Sequence, residues 1–469
     1  MAAAAVVLAG GALATRGGLP PVPGPLQAGV STVPSSTVPS STVPSSTVPS
    51  LTAPSPNAPG SLSALLPSTR GELGPTTAGL LRVLSAGLGE PALGGSLAVS
   101  VVDASDGAPL LEQRAGTPLI PASTAKIATA VAALTALDPQ SRLVTRVVAG
   151  SRAGEVVLVG GGDTTLAGPG APLRYPRVAR VTDLATQVRN RLGRVAVTRV
   201  LVDDSLYVGA RLGPGWRPAY VSAGDVAPVS ALSVDGGRTG PDRRTRVSDP
   251  ALAAGQALAA ALGSGAPVSR GRAPAGAGEL GLVRSPSIAA LTEVMLTRSD
   301  NDLAESLARQ VALATGQPAS FPGVAVALRN VLGELVGDPS AVDVKDGSGL
   351  SRHSRITPAA LSRLLARAAA DDPGAARLAP VIAGLPVAGF SGTLERRYRA
   401  GPAQAGAGTV RAKTGTLDGV SALAGLVRTT EGRLLAFDLT ADGVPLGANR
   451  AAEAALDRLA STLASCGCR

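Results

Sequence analysis

The chain has 469 residues, of which 45% are apolar and only 2% aromatic, so a folded core is feasible but must be packed from small aliphatic side chains. The formal net charge is +10, yet the arginines are scattered and only eight aromatic side chains could stack on bases, which argues against a nucleic-acid partner. The single histidine, His353, and the two cysteines, Cys466 and Cys468, exclude most metal centres and most histidine-based mechanisms. We therefore predict no metal and no cofactor, assign His353 no role, and expect the cysteines to lie in an unstructured tail.

The N-terminal part has the composition of an exported protein. Residues 1–14 are almost wholly apolar and end in Ala-Leu-Ala, which resembles the cleavage site of a signal peptide, although the positively charged region that normally precedes such a segment is missing. Residues 15–75 are rich in Pro, Ser and Thr and contain four tandem Ser-Thr-Val-Pro-Ser copies at 31–50, a composition that cannot bury a core. Two interpretations stay open: a spacer that tethers an exported domain to a membrane, and a disordered tail without a specific role. The signal-like segment and the tether interpretation favour an extracytoplasmic location in the cell envelope.

Folded structure is expected from about Thr76 onward, where regular apolar periods begin. The predicted elements are, in order, a helix at 79–84, a strand at 96–102, a helix after Pro121, strands at 155–159 and 195–203 with a helix at 181–192 between them, helices at 287–297 and 303–315, strands at 410–417, 420–428 and 433–439, and a last helix that carries Leu456, Leu459 and Leu463. The helix after Pro121 should be buried along one stripe, formed by Ile127, Val131 and Leu134.

Lysine is very rare in this sequence. Of the 43 basic residues only three are lysines, Lys126, Lys345 and Lys413. Arginine stays protonated in essentially any protein site, whereas a buried lysine can lose its proton near neutral pH. A lysine that persists in such a composition is therefore a candidate for chemistry that requires an amine, and two of the three lie in recognisable motifs.

Ser123 and Lys126 form a Ser-x-x-Lys motif at the start of the helix after Pro121. A serine at this position is commonly an N-cap, which is the simplest structural interpretation. Lys126 lies one turn later on the same face, however, so its amine can hydrogen-bond the serine hydroxyl. Burial would favour the neutral amine as a base, and Ser123 would then be a nucleophile that forms an acyl-enzyme. The helix N-terminus would also offer the Ser123 N–H to the developing oxyanion.

Two further motifs follow in a fixed order. Ser299-Asp300-Asn301 lies at a junction of two predicted helices, and Lys413-Thr414-Gly415-Thr416 lies on a predicted strand. Each motif alone has an ordinary structural explanation. Together with Ser-x-x-Lys they match, in order and type, the set typical of β-lactamases and penicillin-binding proteins. We therefore predict an acyl-transfer site.

From residue 76 to about 463 the chain resembles the low-molecular-mass (class C) penicillin-binding proteins of the D-alanyl-D-alanine carboxypeptidase/endopeptidase class. The runs that extend the resemblance beyond the three motifs are 161–166, 215–216, 228–233, 304–305 and 346–352. The resemblance implies an α/β (α+β) fold: a serine β-lactamase/transpeptidase-like domain with an antiparallel sheet flanked by helices, plus a smaller inserted α/β domain. We expect the catalytic domain at 76–140 and 285–465 and the inserted domain at 141–284.

The same resemblance implies a mechanism and a partner. Ser123 would be acylated by the penultimate D-alanine of a peptidoglycan stem peptide, and Lys126 would take its proton. Ser299 would relay a proton to the leaving amine, and Asn301 would hold Lys126 and the substrate amide. The residues implied for substrate binding are Lys413, Thr414, Gly415 and Thr416 at the terminal carboxylate and oxyanion, and Trp216, Leu350 and Arg352 around the stem-peptide side chain. β-Lactam antibiotics would be covalent inhibitors.

The sequence also departs from the family pattern and leaves alternatives open. Members often carry two insertions between the first two motifs, whereas here an Arg-rich link at 238–246 replaces one of them. A serine β-lactamase would need a deacylating glutamate, and Glu334 lacks the sequence context expected for one. A catalytically silent cell-wall-binding protein of the same fold is the third interpretation. Carboxypeptidase and endopeptidase activities cannot be separated here, because both cleave after a D-alanine.

Overall fold

The structure is a computed structural model that describes residues 74–172, 176–240 and 243–468. The signal-like segment 1–14 and nearly all of the Pro/Ser/Thr-rich stretch lie outside these ranges. The helices are α1 (Thr77–Leu88), α2 (Ala125–Ala136), α3 (Val181–Leu192), α4 (Ala219–Ser222), α5 (Pro250–Leu262), α6 (Ile288–Arg298), α7 (Asn301–Ala314), α8 (Phe321–Val336), α9 (Pro358–Ala369), α10 (Pro373–Gly384) and α11 (Asn449–Ala464). The strands are β1 (Leu97–Asp103), β2 (Pro109–Gln113), β3 (Arg142–Ala149), β4 (Glu155–Val159), β5 (Arg199–Asp203), β6 (Val268–Arg270), β7 (Glu279–Ser287), β8 (Val342–Asp343), β9 (Arg355–Ile356), β10 (Arg411–Leu417), β11 (Val420–Arg428) and β12 (Leu434–Ala441).

A five-stranded antiparallel sheet in the order β10-β11-β12-β1-β2 separates two helical layers. Alternate side chains of each strand point to opposite faces, so the sheet contributes to two cores. On one face Val102, Leu426 and Ala436 pack with helices α2 and α6 to α10. On the other face Phe437 and its neighbours pack with α1 and α11. Strand β10 is an edge strand of this sheet, which leaves it free to border a cleft.

A second five-stranded sheet has the order β6-β5-β4-β3-β7. It is mixed, because β5 pairs parallel to both β4 and β6 while β3 pairs antiparallel to β4 and β7. Helices α3 and α5 cover one face of it and form a third core. The antiparallel sheet flanked by helices and the smaller α/β part agree with the predicted fold class. The assignment of these parts to a catalytic and an inserted domain stays a proposal.

Helix α2 is more deeply buried than its sequence pattern indicates. The predicted stripe of Ile127, Val131 and Leu134 is buried, and so is every other residue from Ala125 to Leu134. Alanine and threonine occupy most positions between Ile127, Val131 and Leu134, and such small side chains allow neighbouring helices to approach from several sides. The helix that carries the Ser-x-x-Lys motif is therefore held rigidly inside a helical layer.

Other boundaries follow the predictions closely. Helix α3 and strands β4 and β11 coincide with their predicted ranges. Strand β5 starts at Arg199 rather than 195, because the exposed Val195 lies in an irregular segment after α3.

The prediction of an unstructured cysteine tail is wrong. Cys466 and Cys468 are joined in a disulfide and are buried in the α1/α11 core. The Cys468 carbonyl accepts a hydrogen bond of 2.7 Å from the Thr76 N–H, and the Cys466 carbonyl accepts one of 2.9 Å from the Thr430 hydroxyl. The tail thus links the start of the described chain to the β11–β12 hairpin.

Candidate active site

Ser123 lies in a single 3-10 turn, Ala122–Thr124, directly before α2. The N-cap interpretation is wrong, since no side chain caps this turn or the start of α2. The Ser123 Oγ instead accepts a hydrogen bond of 3.0 Å from Lys126 Nζ. Ala122 is held at φ +47°, a conformation that non-glycine residues rarely adopt and that is commonly found at functional sites. Ser123 itself is only half-buried, in contrast to the fully buried Lys126.

The amine of Lys126 is fully buried and has three hydrogen-bond acceptors. Besides Ser123 Oγ, it donates to Asn301 Oδ1 over 2.6 Å and to the Ser348 carbonyl over 2.7 Å. An ammonium group has three donors, so this set satisfies it completely. The orientation of the amine is thereby fixed, and one of its three hydrogen bonds is directed at the Ser123 hydroxyl.

Burial lowers the pKa of Lys126 from 10.5 to about 8, because desolvation disfavours the charged amine. The negative charges of Asp346, Glu305, Asp300 and Asp302 act in the opposite direction and limit the shift. At pH 7 roughly a tenth of the molecules would carry a neutral amine at this position. Such a pKa is suited to a general base near neutral pH.

The Ser-Asp-Asn motif occupies the junction between α6 and α7. Ser299 ends α6 in the left-handed conformation, at φ +54°, and Asp300 caps α7 by accepting from the Leu303 N–H over 2.9 Å. Asn301 is the first residue of α7, and its Nδ2 donates to the Asp225 carbonyl over 2.9 Å. This bond fixes the amide so that its Oδ1 faces Lys126.

A buried loop at 346–351 lies on the other side of Lys126. The Asp346 carboxylate accepts from the N–H groups of Gly349 and Ser351 over 3.0 and 2.7 Å, and from Trp216 Nε1 over 2.7 Å. Desolvation and the nearby Glu305 raise the pKa of Asp346 to about 6. Since Gly349 adopts φ +78° and a Cβ there would lie 1.8 Å from the Ala122 carbonyl oxygen, only glycine fits this close approach.

Strand β10 borders the Ser123 turn with the Lys-Thr-Gly motif. A Cβ on Gly415 would lie 2.7 Å from the Pro121 carbonyl oxygen, which explains the requirement for glycine. Lys413 is fully buried, and its Nζ donates to the Thr414 carbonyl over 2.8 Å. Burial, together with the positive charges of Lys126 and Arg397, lowers the pKa of Lys413 well below its ordinary value. Burial therefore disfavours the charged form of Lys413, and a bound anion would offset this effect.

The two threonines of this strand have different surroundings from its lysine. Thr414 is half-buried and its Oγ1 donates to Thr393 Oγ1 over 2.9 Å, while the exposed Thr416 donates to Glu453 Oε1 over 2.7 Å. The alternation of the strand thus directs Lys413 and Gly415 inward and both threonine side chains away from them. The contact between Thr416 and Glu453 was not foreseen from the sequence.

The three residues expected around the stem-peptide side chain occupy different environments. Trp216 is half-buried between Asp346 and the Phe321 ring, which it meets edge to face at 5.5 Å. Leu350 is buried. Arg352 is half-buried, and its Nη1 donates to the Asp418 carbonyl over 2.8 Å at the turn between β10 and β11.

Sequence reasoning missed the ion pairs that support the motifs. Arg246, from the Arg-rich link, is buried and donates to Asp302 Oδ2 over 2.7 Å, while the other oxygen of Asp302 accepts from the Ala227 N–H over 2.7 Å. The signal available was an aspartate directly after Asn301. Within the described ranges, no three His, Cys, Asp or Glu side chains are placed to hold a metal ion. Lys345 is half-buried and pairs with Asp343 over 2.7 Å.

Comparisons with known proteins assign this chain to a family. The model of the D-Ala-D-Ala carboxypeptidase 3 (S13) family matches residues 80–245 and 241–463. Over 404 residues the chain is 43% identical to the carboxypeptidase DacB of Mycolicibacterium smegmatis, covering 84% of this chain and 85% of that protein. The chain belongs to the S13 family. A carboxypeptidase of Mycobacterium tuberculosis is 42% identical over 405 residues, with the same coverage.

Membership of the S13 family confirms the predicted activity. The protein is a penicillin-binding serine peptidase of the D-Ala-D-Ala carboxypeptidase type, a hydrolase. A solved structure, penicillin-binding protein 4 of Haemophilus influenzae, superposes with a TM-score of 0.63 at 21% identity and covers 81% of this chain and 97% of that one. At this level of identity the similarity shows a common fold, which confirms the predicted fold class. Among the residues with described positions, no helix is long and apolar enough to cross a membrane.

Proposed function

We propose that Ser123 is the nucleophile of the S13 peptidase reaction and that Lys126 is its general base. The observation that carries this proposal is the contact of 3.0 Å between Lys126 Nζ and Ser123 Oγ, made by an amine that is fully buried and otherwise held by Asn301 and Ser348. A buried amine with a lowered pKa can take a proton that an arginine at the same place could not.

The proposed reaction begins with attack of Ser123 Oγ on the carbonyl carbon of the penultimate D-alanine. Lys126 accepts the hydroxyl proton as the new C–O bond forms, and the negative charge moves to the carbonyl oxygen. The N–H groups of Ser123 and Thr416 stabilise this oxyanion. The close approach of Gly415 to the Ser123 turn supports their pairing in one hole.

The C–N bond then breaks, and the leaving amine takes a proton relayed by Ser299 from Lys126. Water next hydrolyses the acyl-enzyme, with Lys126 again acting as the base. The terminal carboxylate is bound by Lys413 with the Thr414 and Thr416 groups of the same strand. Its negative charge favours the protonated form of Lys413 and so offsets the effect of burial.

The substrates are stem peptides of peptidoglycan. A single D-alanine leaves in the carboxypeptidase reaction, and a second peptide leaves when a cross-link is cut, so the same acyl-enzyme serves both reactions. Trp216, Leu350 and Arg352 line the space for the stem-peptide side chain. We further propose an extracytoplasmic location, with the N-terminal region as a tether to the membrane and β-lactams as covalent inhibitors.

Mass spectrometry after incubation with penicillin and, separately, with a stem pentapeptide tests this proposal. We expect a penicilloyl adduct on Ser123 that persists for minutes, loss of one D-alanine from the peptide, and neither result in a Ser123→Ala variant. An adduct on another residue would contradict the assignment of Ser123. Rapid turnover of a chromogenic cephalosporin would favour a β-lactamase instead.

A further inference from the structure

Helix α7 carries a stripe of three polar residues beneath the catalytic lysine. Asn301, Glu305 and Arg309 follow one another at four-residue spacing, so their side chains lie on one face of the helix. Asn301 contacts the Lys126 amine directly. Glu305 and Arg309 are 0% and 1% exposed, although charged side chains are almost never fully buried unless they are paired. This degree of burial calls for an explanation.

Glu305 holds the loop that supplies the second acceptor of Lys126. Its Oε1 accepts from the N–H groups of Gly347 and Ser348 over 3.1 and 2.9 Å. The carbonyl of the same Ser348 accepts from Lys126 Nζ over 2.7 Å. The peptide groups on both sides of this residue are therefore fixed, one by Glu305 and the other by Lys126.

Arg309 fixes Glu305 from the far side. Its Nη1 donates to Glu305 Oε2 over 3.0 Å, which leaves Oε1 for the loop. The guanidinium lies 4.3 Å from the centre of the Phe321 ring, and that ring meets Trp216 edge to face. Trp216 in turn donates to Asp346 in the same loop, so the chain of contacts closes on itself. A closed set of this kind leaves the Ser348 carbonyl little freedom to move.

We propose that Glu305 is a positioning residue for the general base: with Arg309 it holds the Ser348 carbonyl where it orients the Lys126 amine toward Ser123. Helix α7 then sets two of the three acceptors of Lys126, one directly through Asn301 and one through Glu305. This inference rests on the proposed roles of Ser123 and Lys126. It assigns to the Ala304-Glu305 run a function that the motif itself does not reveal.

Electrostatics gives the inference a second, independent readout. The charged groups that face Lys126 come from the 346–351 loop, from α7 and its cap, and from strand β10; they are Asp346, Glu305, Asp300, Asp302 and Lys413. Both the charge of Glu305 and the hydrogen bond to Ser348 favour the protonated amine. Loss of Glu305 should therefore lower the pKa of the Lys126 amine. In the pH profile of the acylation rate, the acidic limb should move to lower pH, and the maximal rate should fall.

Two matched variants separate the reach of Glu305 from its charge. Glu305→Asp keeps the charge, but its side chain is one methylene too short to hydrogen-bond the loop and Arg309 at the same time. We therefore expect the penicillin acylation rate to fall ~10- to 100-fold with little change in non-covalent affinity. The double variant Glu305→Gln with Arg309→Met keeps an acceptor oxygen for the loop without a buried unpaired charge. We expect its acylation rate to stay within about threefold of the wild type, well inside the tenfold that corresponds to 1.4 kcal/mol.

Stopped-flow acylation by a fluorescent penicillin across pH 6–9, normalised to the titrated active fraction, provides the measurement. Glu305→Ala adds the predicted shift of the acidic limb if it folds; if it does not fold, the Asp variant decides. Asp163→Asn is the control, because Asp163 is an equally buried carboxyl that is not among the charges acting on Lys126. This control should match the wild type both in its acylation rate and in the pH at which the acidic limb of the profile lies.

The possible outcomes distinguish this inference from the function on which it rests. If Glu305→Asp acylates at the wild-type rate, the positioning role is wrong while the reaction itself stands. A double variant as slow as Glu305→Asp would show that an acceptor oxygen of full reach is not sufficient to position the loop, and would also overturn the inference. If Ser123→Ala still forms the adduct in the same assay, the proposed function fails instead.

Discussion

The two buried lysines of the site, Lys126 on the helix side and Lys413 on the sheet side, have surroundings of opposite charge. On the helix side, Lys126 is surrounded by Asn301, Glu305 and Asp346, and its amine has a complete set of acceptors. On the sheet side, Lys413 and Asp438 lie in one cross-strand row, separated by Ala424, and both are fully buried. The charges acting on Lys413 are positive, and Asp438 Oδ2 has no hydrogen-bond partner.

This difference indicates two uses of the same residue type. Burial lowers the pKa of Lys126 toward neutral pH, and four neighbouring carboxyl groups limit that shift, so that the amine can both accept and return a proton. Lys413 lacks such neighbours, and in the proposed mechanism an anionic ligand supplies the negative charge that favours its protonated form. A site of this kind would discriminate in favour of a terminal carboxylate.

Exchange of each lysine for arginine should produce the largest contrast. Arginine cannot act as a base, so Lys126→Arg should reduce the acylation rate by ~10²- to 10⁴-fold, the usual contribution of general-base catalysis. Lys413→Arg retains a charge and should cost roughly ten- to a hundredfold, since one charge-assisted hydrogen bond is disturbed. Steady-state kinetics on a D-Ala-D-Ala pentapeptide checks this ranking. Equal losses in both variants would remove the distinction between base and binding group.

The pH dependence of stability should report Asp438. Burial raises its pKa from 3.8 to about 7, so the folded protein binds a proton there that the unfolded chain releases. Stability therefore falls as pH rises from about 4 to about 7, by roughly 3–4 kcal/mol in total. Asp438→Asn should remove this contribution and raise the melting temperature at pH 8. The smaller decline that remains comes from Asp163, Asp302 and Asp346, whose pKa values burial also raises. A variant with the wild-type pH dependence between pH 4 and 8 would show that Asp438 is not the group responsible.

Binding of a carboxylate ligand should be linked to uptake of a proton by Lys413. Calorimetry of penicillin binding to Ser123→Ala at pH 7.5, in two buffers of different ionisation enthalpy, should give an uptake of up to about one proton per ligand. The matched variant that also carries Lys413→Arg should show none, because arginine is already charged. An equal uptake by both proteins would place the proton elsewhere.

The smallest effect is expected at the third lysine. Lys345 pairs with Asp343 at the surface, and such a pair contributes ~0–1 kcal/mol. Lys345→Ala should leave kcat/KM within about twofold and the melting temperature within a few degrees. A loss of kcat/KM comparable to that of Lys413→Arg would mean that the two motif lysines do not differ in function from a surface lysine.

The sequence revealed the motifs because each is short and local. The proximity of Ser123 to Lys126 follows from their spacing of three residues, and the position of Lys413 on a strand follows from the local apolar pattern. The expectation that three such motifs meet rested on their order along the chain. Their roles remain proposals until they are tested by mutation.

The supporting structure was not predictable in the same way, because it depends on contacts between distant parts of the chain. Lys126 meets the Ser348 carbonyl across 222 positions, and Arg246 meets Asp302 across 56. Nothing in the local pattern of Arg246 distinguishes it from the other arginines of its link. The ordered cysteine tail was missed for the same reason, since its partners Thr76 and Thr430 are both distant in the sequence.

A direct titration of the two motif lysines tests the central claim. Because the chain has only three lysines, ¹³C-labelled lysine in a Lys345→Arg background leaves two side-chain signals, which Lys126→Arg assigns. We predict that Lys126 titrates with a pKa of about 8 and that the pKa of Lys413 lies well below its ordinary value until a carboxylate ligand is added. If both signals titrate together near the ordinary lysine value of about 10.4, Lys126 is not tuned as a base and the proposed mechanism is contradicted.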